Sequence, residues 1–391
     1  MGTMDKLFRL MADKKATDLF LSVGAPITIK MQGASVPVNP AILDATNVEN
    51  LLKEILSDKQ WNELNETREL NTRATVPDVG VYRLSCFFQR GTLAMVARYI
   101  PSDIPKFDSL RLPQVLKEVI MEKRGLILMV GATGSGKSTT MTSMLDYRNE
   151  NAAGHILTLE DPLEFIFKNK KSIVNQREIG SDTLAFQVGL RNALRQAPDV
   201  IFIGEIRDKE TMGHAIAYAQ SGHLCMATLH ANNSYHAMSR IISFYPLDNR
   251  PALLADLSVT LKCIISQRLV KMPNGARTAA VEVLLNSRHI AELIEKGELN
   301  EIKDAMEQSM VPGSQTFEQA LYKLYDDKVI TIDEALNNAD SANNLQQVIN
   351  NAAKKPDAPS DAKVDPHAAD TTTHTVASST SFSDFTIKMD G

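Results

Sequence analysis

The 391 residues are 43% apolar and 23% charged, a globular composition too long for one ordinary core, so two folded units and an extra segment are expected. With 42 basic and 47 acidic residues the formal charge is -5, which argues against a bulk surface made for nucleic acid. Cys86, Cys225 and Cys263 form no C-x-x-C pair, which speaks against a disulfide framework or a thiolate zinc site.

Residues 1–17 set charges among Leu7, Phe8, Leu10 and Met11, the spacing of an amphipathic helix and not of a signal peptide. Met1-Gly2 opens like a myristoylation signal, but Lys6 stands where that motif needs Ser or Thr. Residues 17–22 and 28–31 alternate like strands around Gly24-Ala25-Pro26 and Gln32-Gly33. Residues 48–56 and 61–68 read as helices, and 79–88 and 93–99 as a strand pair about Arg90-Gly91, so residues 1–100 form a small α+β domain.

Pro101, Pro105 and Pro113 break regular structure, which makes 101–122 the interdomain linker. From Gly125 onward, apolar runs at 126–130, 156–159, 200–203 and 224–229 alternate with helical spacing at 138–148, 184–195 and 209–219. That alternation predicts a parallel sheet covered by helices. Further helices are expected at 252–266, 290–296, 316–326 and 332–338, closing a core over 123–345. No run approaches the ~18 to 20 apolar residues that span a bilayer, so the chain is expected to stay in the cytoplasm without inserting in a membrane. Residues 346–391, dominated from about Asn351 by Ala, Asp, Thr, Ser and Pro, read as a disordered tail. Its last ten residues, 382–391, read as either a docking peptide or a plain end.

The strongest chemical signal is the P-loop, Gly131-Ala132-Thr133-Gly134-Ser135-Gly136-Lys137-Ser138, followed by Thr139. Gly131, Gly134 and Gly136 let the backbone wrap phosphates, Lys137 supplies a cation to the β and γ phosphates, and Ser138 offers a hydroxyl to Mg²⁺. A strand before it and a helix after it are the context this motif requires, with helix amides facing the anion. ATP with Mg²⁺ is therefore the expected ligand.

Hydrolysis needs carboxylates as well. Thr158-Leu159-Glu160-Asp161-Pro162-Leu163-Glu164 follows one strand, and Val200-Ile201-Phe202-Ile203-Gly204-Glu205 ends another as a Walker B element does. Glu160, Glu164 and Glu205 are the candidates, Glu205 also for the metal; Asp161 reads equally as a helix N-cap. Residues 222–233 put His223 and His230 at the two ends of a strand, and a histidine with polar amides at a strand's end suits sensing of a γ-phosphate. A plain core role for His223 stays open. Spacings among His214, His223, Cys225, His230 and His236 match no standard zinc pattern.

In this order the motifs resemble those of the type II secretion and type IV pilus motor ATPases, and within them the retraction branch of PilT and PilU. The resemblance covers about residues 5–345, and Leu224-Cys225-Met226-Ala227, Ala231-Asn232-Asn233 and the tail's Thr386-Ile387-Lys388-Met389-Asp390 look like the PilU side. Where PilT carries Ala-Ile-Arg-Asn-Leu-Ile-Arg-Glu, this chain reads Arg288-His289-Ile290-Ala291-Glu292-Leu293-Ile294-Glu295. The family implies an α/β chain: a PAS-like N-terminal domain joined flexibly to a RecA-like core with a helical C-terminal part, assembled as a homohexameric ring. It also implies Glu164 as catalytic glutamate, Glu205 as Walker B acid, His230 beside the γ-phosphate, and Arg83 and Arg98 reaching the nucleotide from the N-terminal domain. The implied role is pilus retraction at the inner-membrane base of the machine, beside a PilT-type ATPase and under the platform protein. Alternatives are an independent retraction motor, a non-catalytic ATP-binding ring subunit and a nucleic-acid translocase; the last sits badly with the charge of -5.

Overall fold

The structure, a computed structural model, describes residues 2–31, 33–101, 103–309 and 311–353. The expected docking peptide at 382–391 lies outside them.

The first helix, α1 (Thr3–Asp13), buries Met4, Leu7, Phe8 and Met11, the one-sided stripe its spacing demands. Three strands follow, β1 (Asp18–Ser22), β2 (Pro26–Met31) and β3 (Ala34–Ile42), then helices α2 (Ala45–Lys53) and α3 (Asp58–Thr67). Asp44 with Asn47 and Ser57 with Gln60 form reciprocal caps that fix where these two helices begin. Strands β4 (Glu69–Val76), β5 (Gly80–Gln89) and β6 (Thr92–Ile100) complete an antiparallel sheet in the order β3-β2-β1-β6-β5-β4. Its core includes Leu19, Leu21, Tyr82, Leu84 and Met95, and the Tyr82 hydroxyl donates to the carbonyl of Phe8 at 2.5 Å. The strand patterns at 17–22, 28–31, 79–88 and 93–99 fall in β1, β2, β5 and β6. The flanking β3 and β4 carry no such alternation: β3 is exposed along nearly its whole length and holds Pro37 and Pro40.

The segment after Ile100 is less loose than three prolines suggest. A short 3₁₀ turn at Phe107–Leu110 and helix α4 (Val115–Ile120) bury Phe107, Leu116 and Ile120 in the same apolar cluster as Met141 and Leu145 of the next helix. Among its described residues, 101, 103–106, 111–114 and 121–122 are left without helix or strand.

The second sheet starts with β7 (Gly125–Val130), α5 (Lys137–Asn151), β8 (Gly154–Glu160) and β9 (Ser172–Glu178). It continues through α6 (Phe186–Ala193), β10 (Val200–Ile203), α7 (Lys209–Gln220), β11 (Leu224–Leu229), α8 (Ser234–Ser243) and α9 (Arg250–Thr260) to the hairpin β12 (Leu261–Lys271) and β13 (Arg277–Leu285). The order is β13-β12-β7-β11-β10-β8-β9, parallel throughout except for the antiparallel β12–β13 pair. This bears out the α/β expectation. Every residue of β7, β10 and β11 is buried, as central parallel strands covered on both faces require.

One helix reading is corrected here: α9 stops at Thr260 and residues 261–266, expected as its continuation, begin β12. No Gly or Pro marks a break between Thr260 and Ser266, and the short apolar run Cys263 to Ile265 fits a buried strand as well as a buried helix, which periodicity alone does not separate. Beyond β13 lie α10 (Arg288–Lys296), α11 (Ile302–Glu307), α12 (Phe317–Asp326), α13 (Ile332–Asn338) and α14 (Ala342–Ala353). Residues 346–353, assigned to the tail by composition, are therefore helical. By its contacts the chain up to Val348 is one compact unit.

Candidate active site

The parallel strands β7, β8, β10 and β11 deliver their carboxyl ends to one edge of the sheet, where ligands of such folds bind. β7 ends at Val130 and α5 begins at Lys137, so residues 131–136 must turn sharply between them. They do so with Gly131, Gly134 and Gly136 at φ of 156°, 78° and 86°. A Cβ on Gly131 would stand 2.4 Å from Ser135 Oγ and 2.6 Å from the carbonyl oxygen of Gln267, and one on Gly136 would stand 2.8 Å from Gln267 Nε2. Gly134 instead borders open space. The loop's curve is thus enforced from behind and free in front, the shape of an anion cradle.

Lys137, itself buried, donates to the carbonyls of Gly131 and Ala132 at 2.8 and 2.9 Å. Burial lowers its pKa, and the Glu205 carboxylate acts in the opposite direction. In front of the loop lies a cleft of about 720 Å³. Thr133, Gly134, Gly136, Lys137, Ser138 and Thr139 line it together with Glu160, Glu164, Glu205 and His230. Gly131 and Ala132 border an adjoining hollow that also reaches His230, while Ser135 is buried behind the loop.

Glu205 and His230 end adjacent strands. The Thr228 hydroxyl donates to the Gly204 carbonyl and the Ile206 amide to the Thr228 carbonyl at 2.8 Å, which locks the two strand ends together. Glu205 consequently meets His230 Nε2 at 3.3 Å and Arg207 at 2.7 Å. Its hydrogen bond to Glu205 is the chief reason the Arg207 pKa is raised, and the same guanidinium lies 3.6 Å from Asp161. No helix follows Asp161, so the N-cap reading is excluded. Glu160, the last residue of β8, is almost wholly buried and accepts from the Thr158 hydroxyl at 2.6 Å and Gln176 Nε2 at 3.3 Å. Burial pushes its pKa up to about 7 against those hydrogen bonds, with the Glu164 and Glu178 charges adding to the rise. Glu164 is exposed to the cleft.

Arg83 and Arg98 reach this same cleft from the antiparallel sheet. Strand register sets Arg73, Arg83 and Arg98 opposite one another across β4, β5 and β6. Arg73 pairs with Glu178 at 3.0 Å and Asp182 at 2.7 Å, and Arg98 with Asp18 at 2.7 Å. Arg83 has no ion pair among the described residues.

His223 is a correction. It precedes β11 and accepts from the Gly125 amide at the start of β7, whereas the P-loop follows the end of β7. Leu224 pairs with Gly125 and Leu229 with Val130, so His223 lies ~20 Å from the loop, one strand length at 3.3 Å per residue. Histidines at both ends of a parallel strand place only one at the phosphate edge, and that one is His230.

Sequence reasoning missed three residues. Arg207 follows Glu205 by two positions, so the Walker B stretch itself carried its signal. Arg277 lines the cleft from the start of β13, and Gln267 touches the loop from β12; both were hidden because that hairpin was not foreseen.

Comparison with known proteins places this arrangement. A family model described as type II/IV secretion system protein matches residues 109–309. The chain is 46% identical over 346 residues to the type IV pilus ATPase PilU of Pseudomonas aeruginosa, covering 88% of this chain and 91% of that protein. It is 38% identical over 316 residues to the type IV pilus retraction ATPase PilT of the same organism, covering 81% and 92%. Among solved structures it is similar to the pilus retraction motor PilT with bound ADP, with a TM-score of 0.82 at 38% identity over 89% of this chain and 99% of that one. The Legionella pneumophila ATPase DotB gives a TM-score of 0.72 at 26% identity, over 89% and 94%. Likeness of this degree, sustained along nearly the whole of both chains, means that the protein belongs to the type II/IV secretion system protein family, in its PilT/PilU group of type IV pilus motor ATPases.

Proposed function

We propose that the chain is a motor ATPase that couples ATP hydrolysis to type IV pilus retraction. The observation that carries this is the single cleft in which a P-loop lysine, Glu164, Glu205, His230 and two arginines of the other sheet converge. Lys137 and the amides of the loop and of the α5 N-terminus hold the β and γ phosphates. Glu164, the exposed carboxylate, orients the attacking water, and His230 stands beside the γ-phosphate. Arg83 and Arg98 bring positive charge to the phosphoryl group as it develops negative charge, a contribution that reaches ~10³ to 10⁵ in rate for a positioned arginine.

The Ser138 hydroxyl and Glu205 carboxylate open on the same cleft and are hard oxygen donors of the kind Mg²⁺ takes. When bound, the ion offsets phosphate charge.

The ring is a homohexamer, with residues 1–100 and 123–345 moving against each other about a hinge within 101–122. It works at the inner-membrane base of the pilus, beside a PilT-type ATPase and under the platform protein, as an accessory to the former. No helix among the described residues is long and apolar enough to cross a membrane. Support for the accessory role is the higher identity to PilU, 46% against 38% for PilT.

Lys137→Ala is expected to lower ATP hydrolysis by the purified protein at least ~10²-fold, the scale of losing one charged donor to a transition state; residual wild-type turnover would refute the reading. Glu205→Gln is expected to bind ATP and fail to turn it over. Retraction assayed with this protein as the sole motor separates the roles: failure restored by a PilT-type partner supports the accessory, and unaided retraction opposes it.

A further inference from the structure

We propose that Gln267 is the positioning residue that holds the phosphate-binding loop in its binding shape; this rests on the P-loop reading above. Gln267 lies on β12, one residue past Ser266, which pairs with the last residue of β7, Val130. Its side chain therefore extends where β7 has already turned into the loop. It is 2% exposed and is not among the residues lining the phosphate cleft.

Its amide spans the corner of the loop. Nε2 donates to the Ser135 carbonyl at 2.7 Å, and Oε1 accepts from the Thr140 hydroxyl at 2.7 Å. Carbonyl chemistry fixes this orientation, because Ser135 O only accepts and so must face the amide nitrogen. One contact precedes Gly136 and the other lies one turn inside α5. The missing Cβ of Gly136 is what admits the amide, since Nε2 is 2.8 Å from where that carbon would be, and the Gln267 carbonyl crowds Gly131 in the same way at 2.6 Å.

The loop's other side-chain ties come from Lys137 to Gly131 and Ala132. A lysine that turns its ammonium to phosphate gives those bonds up. Gln267 keeps its bonds, because both are made behind the loop. Its contribution is therefore the same with ATP, ADP or the transition state in place, and its loss belongs in affinity and not in the chemical step.

The test uses the full-length protein with ATP and ADP as probes. Gln267→Ala is expected to raise KM for ATP and Kd for ADP together by about 10-fold or more, as loss of a buried polar bridge does, with kcat at saturating ATP within about threefold of wild type. Gln267→Glu is expected to be worse than Ala, since a carboxylate oxygen would face the Ser135 carbonyl. Thr140→Val shifts KM and Kd the same way, and Thr140→Ser, which keeps the hydroxyl, stays near wild type. Unchanged ADP affinity in Gln267→Ala overturns the proposal, as does a fall in kcat with affinity intact. Should Gln267→Ala not fold, unchanged ADP affinity in Thr140→Val overturns it equally. Wild-type protein that binds neither nucleotide would instead sink the P-loop reading itself.

Discussion

Glu160 and Glu205 lie at the ends of neighbouring strands β8 and β10, yet their surroundings differ. Glu205 shares its charge with Arg207 and His230, while Glu160 faces no cation among its hydrogen-bond partners and titrates at about 7. Between its ordinary 4.5 and about 7, the native state retains a proton that the unfolded chain has released. Stability consequently falls as pH rises through that window, by roughly 1.4 kcal/mol per pH unit where only the unfolded form is ionised. Glu160→Gln keeps the oxygen that accepts from Thr158 and removes the ionisation. The variant should lose this slope and gain on the order of 3 kcal/mol over wild type at pH 8, but little at pH 4.5. Urea unfolding of both proteins at the two pH values measures the difference, and parallel pH dependence would rule the mechanism out.

Helix α12 shows how far a short pattern specifies an element. Thr316, fully buried, caps it reciprocally with Gln319, and the helix carries the buried Glu318 that pairs with Lys303 at 3.0 Å. Thr316→Ala should cost ~1 kcal/mol in chemical denaturation, with Thr316→Ser close to wild type. Such signals made α12, the P-loop and the buried strands β7, β8, β10 and β11 legible. Gly131, Gly134 and Gly136 mark the loop in sequence because only glycine fits it. The edge strands β3, β4 and β9 are polar or interrupted, so their pairing is decided by neighbours far along the chain. β12 was concealed because no Gly or Pro separates it from α9, and Gln267 with it. His223 illustrates a further limit: spacing reports nearness along a strand, while parallel register decides which end meets the ligand.

Across the molecule, Arg73 ties the antiparallel sheet to the edge of the parallel one. Its partner Glu178, 6% exposed at the side chain, also accepts from the Leu163 amide at 3.3 Å, next to Glu164. Arg73→Ala strands that carboxylate and should cost about 1 to 3 kcal/mol. Arg73→Lys should recover only part of this, because a single ammonium does not reproduce the fork that reaches both Glu178 and Asp182. Equal denaturation midpoints for Arg73→Ala and wild type would show that the tie carries no stability.

The far border of the same antiparallel sheet is β3, with both faces largely in solvent and prolines at 37 and 40. An unprotected strand of that length would offer a row of free amides on which another chain could extend the sheet. Two positions without an N–H and a nearly bare surface make it a poor template. One border of the sheet is thereby kept from fusing with other copies of the chain, so that crowding favours ordered association over fibrous aggregation.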